Sequence, residues 1–235
     1  SHEDGDHSGG FAALQKVLPS GKIITGPGVD YPEAVLQGQT VEIYAAGTRW
    51  RWGEVLFEVL SPEPEVEPNA YAEGASQGGF AVSGNNSSCV LRIRWRDIQV
   101  LLPGDIESAA EYQLLHSGRL NSARMDLLIA PHHGSKTSST PRFVQQLRPK
   151  NVVFSAGFQH QFGHPYPSVT KRYNAVQSQI WNTAEQGAIT FEWLDSSEAT
   201  RQHSRQHCRQ YSKEHSKEPC KKLAGALKIT TARGQ

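Results

Sequence analysis

Cysteine is scarce in this 235-residue chain. The three present, Cys89, Cys208 and Cys220, are odd in number and far apart. They offer neither a disulfide framework nor a C-x-x-C metal or redox pair. Long apolar runs are also missing. None approaches the roughly 20 residues that a membrane helix needs, and no secretory signal opens the chain. A surplus of charge is lacking too. The net charge is +1, so nothing global announces a polyanionic partner. With 37% hydrophobic and 20% charged residues, the balance is that of a soluble globular protein. Methionine occurs once, at Met125, and the chain opens at Ser1. The first ten residues, SHEDGDHSGG, already read as an active-site loop, and such loops normally follow a strand that positions them. The expectation is a piece cut at its amino end, lacking part of its fold.

What is present alternates strand and helix. Phe11 to Leu18 reads as a helix with Phe11, Leu14 and Leu18 on one face. Strands are expected at Lys22 to Thr25, Val41 to Tyr44, Arg49 to Trp52 and Val55 to Leu60. Ser61 to Ser88, rich in proline, glutamate and glycine, reads as a long surface loop. Cys89 to Trp95 and Ile98 to Leu102 form a hairpin about Arg96-Asp97. Glu107 to Ser117, Thr140 to Leu147 and Ser168 to Gln177 are the later helices. Asp126 to Ala130, Asn151 to Ser155, Ile180 to Asn182 and Ala188 to Leu194 are the later strands. The pattern implies sheets packed together with helices outside, over residues 1–194. Residues 195–235 carry nine basic and four acidic side chains with few large apolar ones, and read as a basic, flexible, solvated tail. Trp50 and Trp52 are expected to pack rather than stack on bases, and Cys89 to sit in the core.

Four clusters carry chemistry. His2, Asp4, Asp6 and His7 are four metal-ligand candidates in six residues, beside glycines that permit a tight bend. A polar loop with Asp6 or Ser8 as a helix cap is the plainer reading. Asp105 stands at a strand end, a rigid mount for a reactive carboxylate, or else is a turn residue. His132 and His133 follow a buried strand and must point different ways, so one is expected to be a metal ligand. His164 sits in the loop Gly163-His164-Pro165.

Taken together, these clusters resemble the metallo-β-lactamase superfamily, whose H-x-H-x-D-H hallmark stands here as His2-Glu3-Asp4-Gly5-Asp6-His7. The series S-H-x-D-x-D-H-x-G-G, N-x-x-S-C-V-L-R (Asn85 to Arg92), L-L-P-G-D, P-H-H-G-S and F-G-H-P, in that order, is similar to the carboxyl-terminal domain of ComEC-type DNA-internalisation competence proteins. The resemblance runs from Ser1 to about Leu194. Two departures from the superfamily pattern are plain. Asp4 replaces its second histidine, and no histidine occurs between His7 and Asp105 to serve its third motif.

The resemblance implies a four-layer αββα sandwich lacking its amino-terminal strands. It implies a site of two divalent metal ions held by His2, Asp4, Asp6, His7, Asp105 and His132, with Asp105 bridging. Replacing imidazole by carboxylate hardens such a site and favours Mn²⁺ over Zn²⁺. His133 and His164, with Asp6, are the catalytic candidates on the substrate side. Ser135, Lys136, Ser138 and Ser139 are candidate phosphate contacts. The implied activity is phosphodiester hydrolysis. It would serve a nuclease domain that degrades the non-transported DNA strand, on the periplasmic side of an inner-membrane protein. Single-stranded DNA and other competence proteins are the implied partners. The rival readings are a small-molecule phosphodiesterase and a non-catalytic or regulatory DNA-binding module.

Overall fold

The computed structural model describes residues 1–18, 23–26, 36, 38–64, 84–120, 124–159, 162–194 and 227–232. Two compact units divide the chain, Ser1–Asn182 and Thr183–Gln235.

The first unit is built on a seven-stranded mixed sheet. Its strands lie in the order β3 (Arg49–Trp52), β4 (Val55–Ser61), β5 (Val90–Trp95), β6 (Ile98–Leu102), β7 (Leu127–Ile129), β8 (Asn151–Phe154) and β9 (Gln179–Asn182). From β3 to β6 neighbours are antiparallel, as short connections require. From β6 to β9 they are parallel, with helices α3 (Ser108–His116), α4 (Pro141–Leu147) and α5 (Pro167–Ala175) between them in sequence. A second, two-stranded parallel sheet pairs β1 (Ile23–Thr25) with β2 (Val41–Ile43).

Strand alternation sorts the sheet's two faces. Leu60, Val90, Leu101, Leu128, Val152 and Phe154 point one way and join Ala110 and Leu114 of α3, Phe143, Val144 and Leu147 of α4, and Val169 and Tyr173 of α5 in one core. Val59, Leu91, Leu102 and Ile129 point the other way. With Ile24, Tyr44 and Trp50 they line a cavity of about 490 Å³ that opens on His7, Asp105 and His133.

Two expectations change here. The helix α2 (Phe11–Val17) forms as expected, but Leu14, Val17 and Leu18 stay exposed and Gln15 is its buried residue. Gln15 is hydrogen-bonded to Gln39, which turns that polar side inward. Trp52 is 80% exposed instead of packed, while Trp50 stacks on Phe57 with ring centroids 5.2 Å apart. Cys89 is half-buried, and burial pushes its thiol up to about 11.

The second unit contains α6 (Thr183–Gln186) and an antiparallel pair, β10 (Ile189–Trp193) with β11 (Leu227–Thr231). The end of the expected tail is thus a strand, and Lys228 pairs with Glu192 at 2.9 Å. Residues 195–226, and with them most of the basic tail, lie outside the described residues.

Candidate metal centre

The first motif folds as a one-turn helix, α1 (Gly5–Ser8), rather than an open loop. The turn places Asp6 and His7 side by side beyond Asp4. Ser1 anchors its start: the Ser1 carbonyl accepts from the Cys89 N–H (3.0 Å) and from the Tyr44 hydroxyl. The Ser1 hydroxyl contacts His7 Nδ1 at 2.9 Å and His2 Nδ1 at 3.2 Å.

Asp105 follows β6 on a turn that needs Gly104, where φ is +60° and a Cβ would lie 2.8 Å from that of Ser88. The buried Ser88 hydroxyl accepts from the Asp105 N–H at 3.0 Å and meets His2 Nδ1 at 3.2 Å, tying the first motif to the third. Asn86 accepts from the Glu107 N–H at the start of α3. Arg92 donates to Glu58, which Arg49 also pairs. Burial alone would raise the Glu58 carboxyl, but these guanidiniums outweigh it and lower it. The motif Asn85 to Arg92 is therefore structural support, with no atom directed to the cluster except through Ser88.

His132 and His133 both adopt left-handed backbone angles, with φ of 49° and 53°, at a cost of about 1 kcal/mol or more each. Gly134 continues the turn at φ +85°, where a Cβ would meet the Phe154 ring at 2.6 Å. The loop is braced against this strain. The His132 N–H donates to the Gly104 carbonyl, and the Tyr166 N–H to that of Gly134. Glu111, buried in α3, accepts from the Ser139 and Thr140 N–H groups. Arg172 donates to the Ser138 and Ser139 carbonyls.

Among the described residues, Asp6, His7, Asp105 and His133 bring one donor atom each within 4.8 Å of one another. His7 Nε2 lies 3.1 Å from Asp105 Oδ1. His133 Nε2 lies 3.3 Å from Asp6 Oδ2 and 3.4 Å from Asp105 Oδ2. Its Nδ1 donates to the Ser155 carbonyl at 2.8 Å, which sets the tautomer and turns the Nε2 lone pair toward the carboxylates. Beside this group, His2 Nε2 faces Asp4 Oδ2 at 3.3 Å, and the His2 and His7 rings are 4.3 Å apart.

Three imidazole atoms, Nε2 of His2, His7 and His133, are buried and close no hydrogen bond. Buried polar atoms left in this state are costly. A cation among Asp6, His7, Asp105 and His133 satisfies the nitrogens of His7 and His133, so this four-donor set fits a divalent metal. Burial alone would raise the Asp105 carboxyl, but His133 and His7 outweigh it and hold it well below the usual carboxylate range. Asp105 in turn pushes His133 up to about 9, while burial and the His7 charge lower His2.

The structure places the two histidines the other way round from the expectation. His133, expected on the substrate side, is inside the donor group. His132, expected as the ligand, stands outside it, its Nε2 4.0 Å from Asp105 and its Nδ1 3.3 Å from Glu107 Oε1. His164 sits at the rim, its ring 6.0 Å from that of His132 and 6.5 Å from that of His133, near Phe162 and Tyr166.

The serines expected to contact phosphate do not face solvent. Ser138 Oγ donates to the Pro131 and Ser135 carbonyls, Ser139 Oγ meets the Tyr173 hydroxyl, and Ser135 Oγ meets Thr137 Oγ1. Their hydrogen-bonding capacity is spent holding the loop. Lys136 alone of the four is exposed, 5.9 Å above the Tyr166 ring. Sequence reasoning missed Ser1, Ser88, Glu107, Glu111 and Thr137. Only the S-C-V-L-R and S-K-T-S-S contexts hinted at Ser88 and Thr137.

No family model matches the chain. Curated relatives do. Over 193 residues it is 32% identical to competence protein ComA of Neisseria gonorrhoeae, covering 81% of this chain and 24% of that protein. It is 30% identical to recombination protein 2 of Haemophilus influenzae, covering 80% and 21%. It is 29% identical to ComE operon protein 3 of Bacillus subtilis, covering 82% and 24%. The chain thus spans between a fifth and a quarter of the length of these relatives. Among solved structures, the metallo-β-lactamase-fold protein YhfI of Bacillus subtilis aligns with a TM-score of 0.42 and 12% identity, over 77% of this chain and 72% of that one. A Thermotoga maritima protein assigned to the metallo-β-lactamase superfamily gives 0.35 and 10%, over 69% and 81%.

Proposed function

We propose that this chain, which is related to one segment of the DNA-internalisation competence proteins, is a divalent-metal-dependent phosphodiester hydrolase acting on DNA. In the complete protein it would degrade the strand that does not enter the cell, from the periplasmic side of the inner membrane. No helix among the described residues is long and apolar enough to cross a membrane. The observation that carries the reading is the trio of orphaned imidazole nitrogens turned toward Asp4, Asp6 and Asp105 at the mouth of the sheet. Half of the donors are carboxylates, which makes the site harder than an all-imidazole one and admits Mn²⁺ as well as Zn²⁺, and competence and recombination in the relatives' names point to DNA.

Metal ions held here would supply Lewis-acid polarisation of a phosphoryl oxygen and acidify water. The chain's own residues do the rest. Asp105, anchored through its backbone by Ser88, fixes the spacing between His7 and His133. Ser155 fixes the tautomer of His133. His132, oriented through Nδ1 by Glu107 and Thr137, presents its ring beside the cluster and is placed to protonate a leaving oxygen. Lys136 and His164 offer cationic and polar contacts at the rim.

The test is turnover of bis(p-nitrophenyl) phosphate and of single-stranded DNA with Mn²⁺, in the parent chain and in Asp105→Asn. Mn²⁺-dependent turnover of both, lowered on the order of 10³-fold by the substitution, is expected. Absence of turnover with Mn²⁺, Mg²⁺ and Zn²⁺ alike would sink the reading. Turnover of the small ester alone would favour a small-molecule phosphodiesterase. One observation favours a regulatory DNA-binding module instead: beside the four-donor group, His2 and Asp4 form only a pair. Binding of one ion per chain without turnover would select it.

A further inference from the structure

A second feature lies on the helical side of the sheet. Helices α4 and α5 flank a cleft of about 650 Å³, lined by Arg142, Gln145 and Arg148 from the first and by Lys171, Arg172 and Val176 from the second. The spacing makes this face. Arg142 and Gln145 are three residues apart on α4, and Lys171 and Arg172 stand one turn before Ala175 and Val176, so both helices bring cationic side chains to the groove. Four cations line the groove and no acidic residue does. Arg142, Arg148 and Lys171 are exposed and make no ion pair among the described residues. Arg172 differs, because its guanidinium is bonded to the Ser138 and Ser139 carbonyls, in the segment that follows the paired histidines.

We propose that this cleft holds the sugar–phosphate backbone of a nucleic-acid strand. The chain as a whole is nearly neutral, so three exposed cations without an ion pair among the described residues, gathered beside Arg172 in one groove, are a local concentration, not a reflection of composition. Successive phosphates need a row of positive charge with room for the backbone, and the groove provides both. The amide of Gln145 adds a donor and an acceptor suited to phosphate and sugar oxygens. An anionic lipid surface is the other polyanion that such charge could meet. It would favour large apolar side chains for insertion. The exposed ones among the described residues, Leu14, Trp52, Phe158 and Phe162 included, all lie elsewhere. The inference rests on the proposed function only for naming DNA as the polyanion; the charge row stands without it.

The test uses the full chain in chelator, so that nothing is cut, with a fluorescent 30-nucleotide single strand. Arg142→Gln combined with Lys171→Gln is compared with a control of equal charge, Lys16→Gln with Arg51→Gln, whose parent side chains are exposed elsewhere. The cleft variant is expected to bind about twentyfold more weakly at 0.1 M salt, with the slope of log K against log salt reduced by about 1.4. Its turnover of bis(p-nitrophenyl) phosphate, too small to span site and cleft, is expected to match the parent. Equal weakening by both variants, or unchanged oligonucleotide binding, overturns the proposal. So does loss of binding to phosphatidylserine vesicles with oligonucleotide binding retained. Loss of ester turnover in the parent would count against the hydrolase reading while leaving the binding comparison intact.

Discussion

Three segments deliver donors to the cluster, and two of them, the histidine-pair loop and the first motif, are held very differently. His133 rides on a loop whose backbone is strained but braced from four sides, by the Gly104 carbonyl, the Tyr166 amide, Glu111 and Arg172. Asp6 and His7 ride on α1, a single turn in which no residue is buried and Asp4 makes no side-chain cap bond. The first segment is a fixed wall. The second is tethered mainly through its ends, by Ser1 and by the Ser8 hydroxyl, which donates to the Glu3 carbonyl. The difference teaches that precision at this site is asymmetric. His133 and Asp105 are placed by the core, and Asp6 and His7 can close on an ion with little cost in packing.

The sharpest break of that comparison is at the paired histidines. His133→Ala removes a donor from the rigid wall, so retained Mn²⁺ is expected to fall, and turnover with it on the order of 10³-fold. His132→Ala leaves the donor group whole, so it is expected to keep its metal while losing roughly 10²-fold or more in turnover. Elemental analysis after gel filtration, set beside kinetics at saturating metal, separates the two. Metal loss in His132→Ala but not in His133→Ala would restore the opposite assignment.

A second break acts on the brace. Glu111 is fully buried and satisfies two backbone N–H groups at the start of α4. Glu111→Ala strands both, at about 3 kcal/mol. Glu111→Gln keeps an acceptor and is expected to recover part of that loss. If thermal melts show the alanine variant within about 0.5 kcal/mol of the parent, the wall is not held from α3. Burial raises the Glu111 carboxyl above its ordinary value even with these bonds present. Burial therefore disfavours its ionised form, while its two hydrogen bonds hold the segment that follows the paired histidines.

Local signals explain what could be read in the sequence. The strands from β3 to β8 and the helices α2 to α5 follow from alternation, helical spacing and punctuating Gly and Pro. The same local logic put Asp105 and the histidine pair at strand ends. Within the site, however, two adjacent histidines in left-handed backbone are oriented by the Ser155 carbonyl and by Glu107, which are 22 and 25 residues away from the rings they hold. No pattern of residue types reports such partners. The burial of Ser138 and Ser139 was hidden for the same reason. As polar residues in a glycine-flanked loop they read as phosphate contacts, yet Pro131 and Tyr173 take up their hydroxyls. Pairing of β10 with a strand more than thirty residues later was hidden as well, because the intervening composition is polar and basic.

That last pairing sets the smallest expected effect. Ending the chain after Leu194 removes β11 and leaves β10 as an unpaired edge. The β10–β11 ribbon belongs to the second unit, whereas every donor of the cluster belongs to the first. Metal content and turnover of the small ester are therefore expected to change by less than about twofold. The exposed edge carries Ile189, Phe191 and Trp193, so the truncated chain should instead aggregate more readily at high concentration. Light scattering and ester kinetics on the two chains read these effects separately. A large loss of turnover at unchanged solubility would mean that the second unit takes part in building the site. The contrast between a braced wall and a pliable turn would then be incomplete without it.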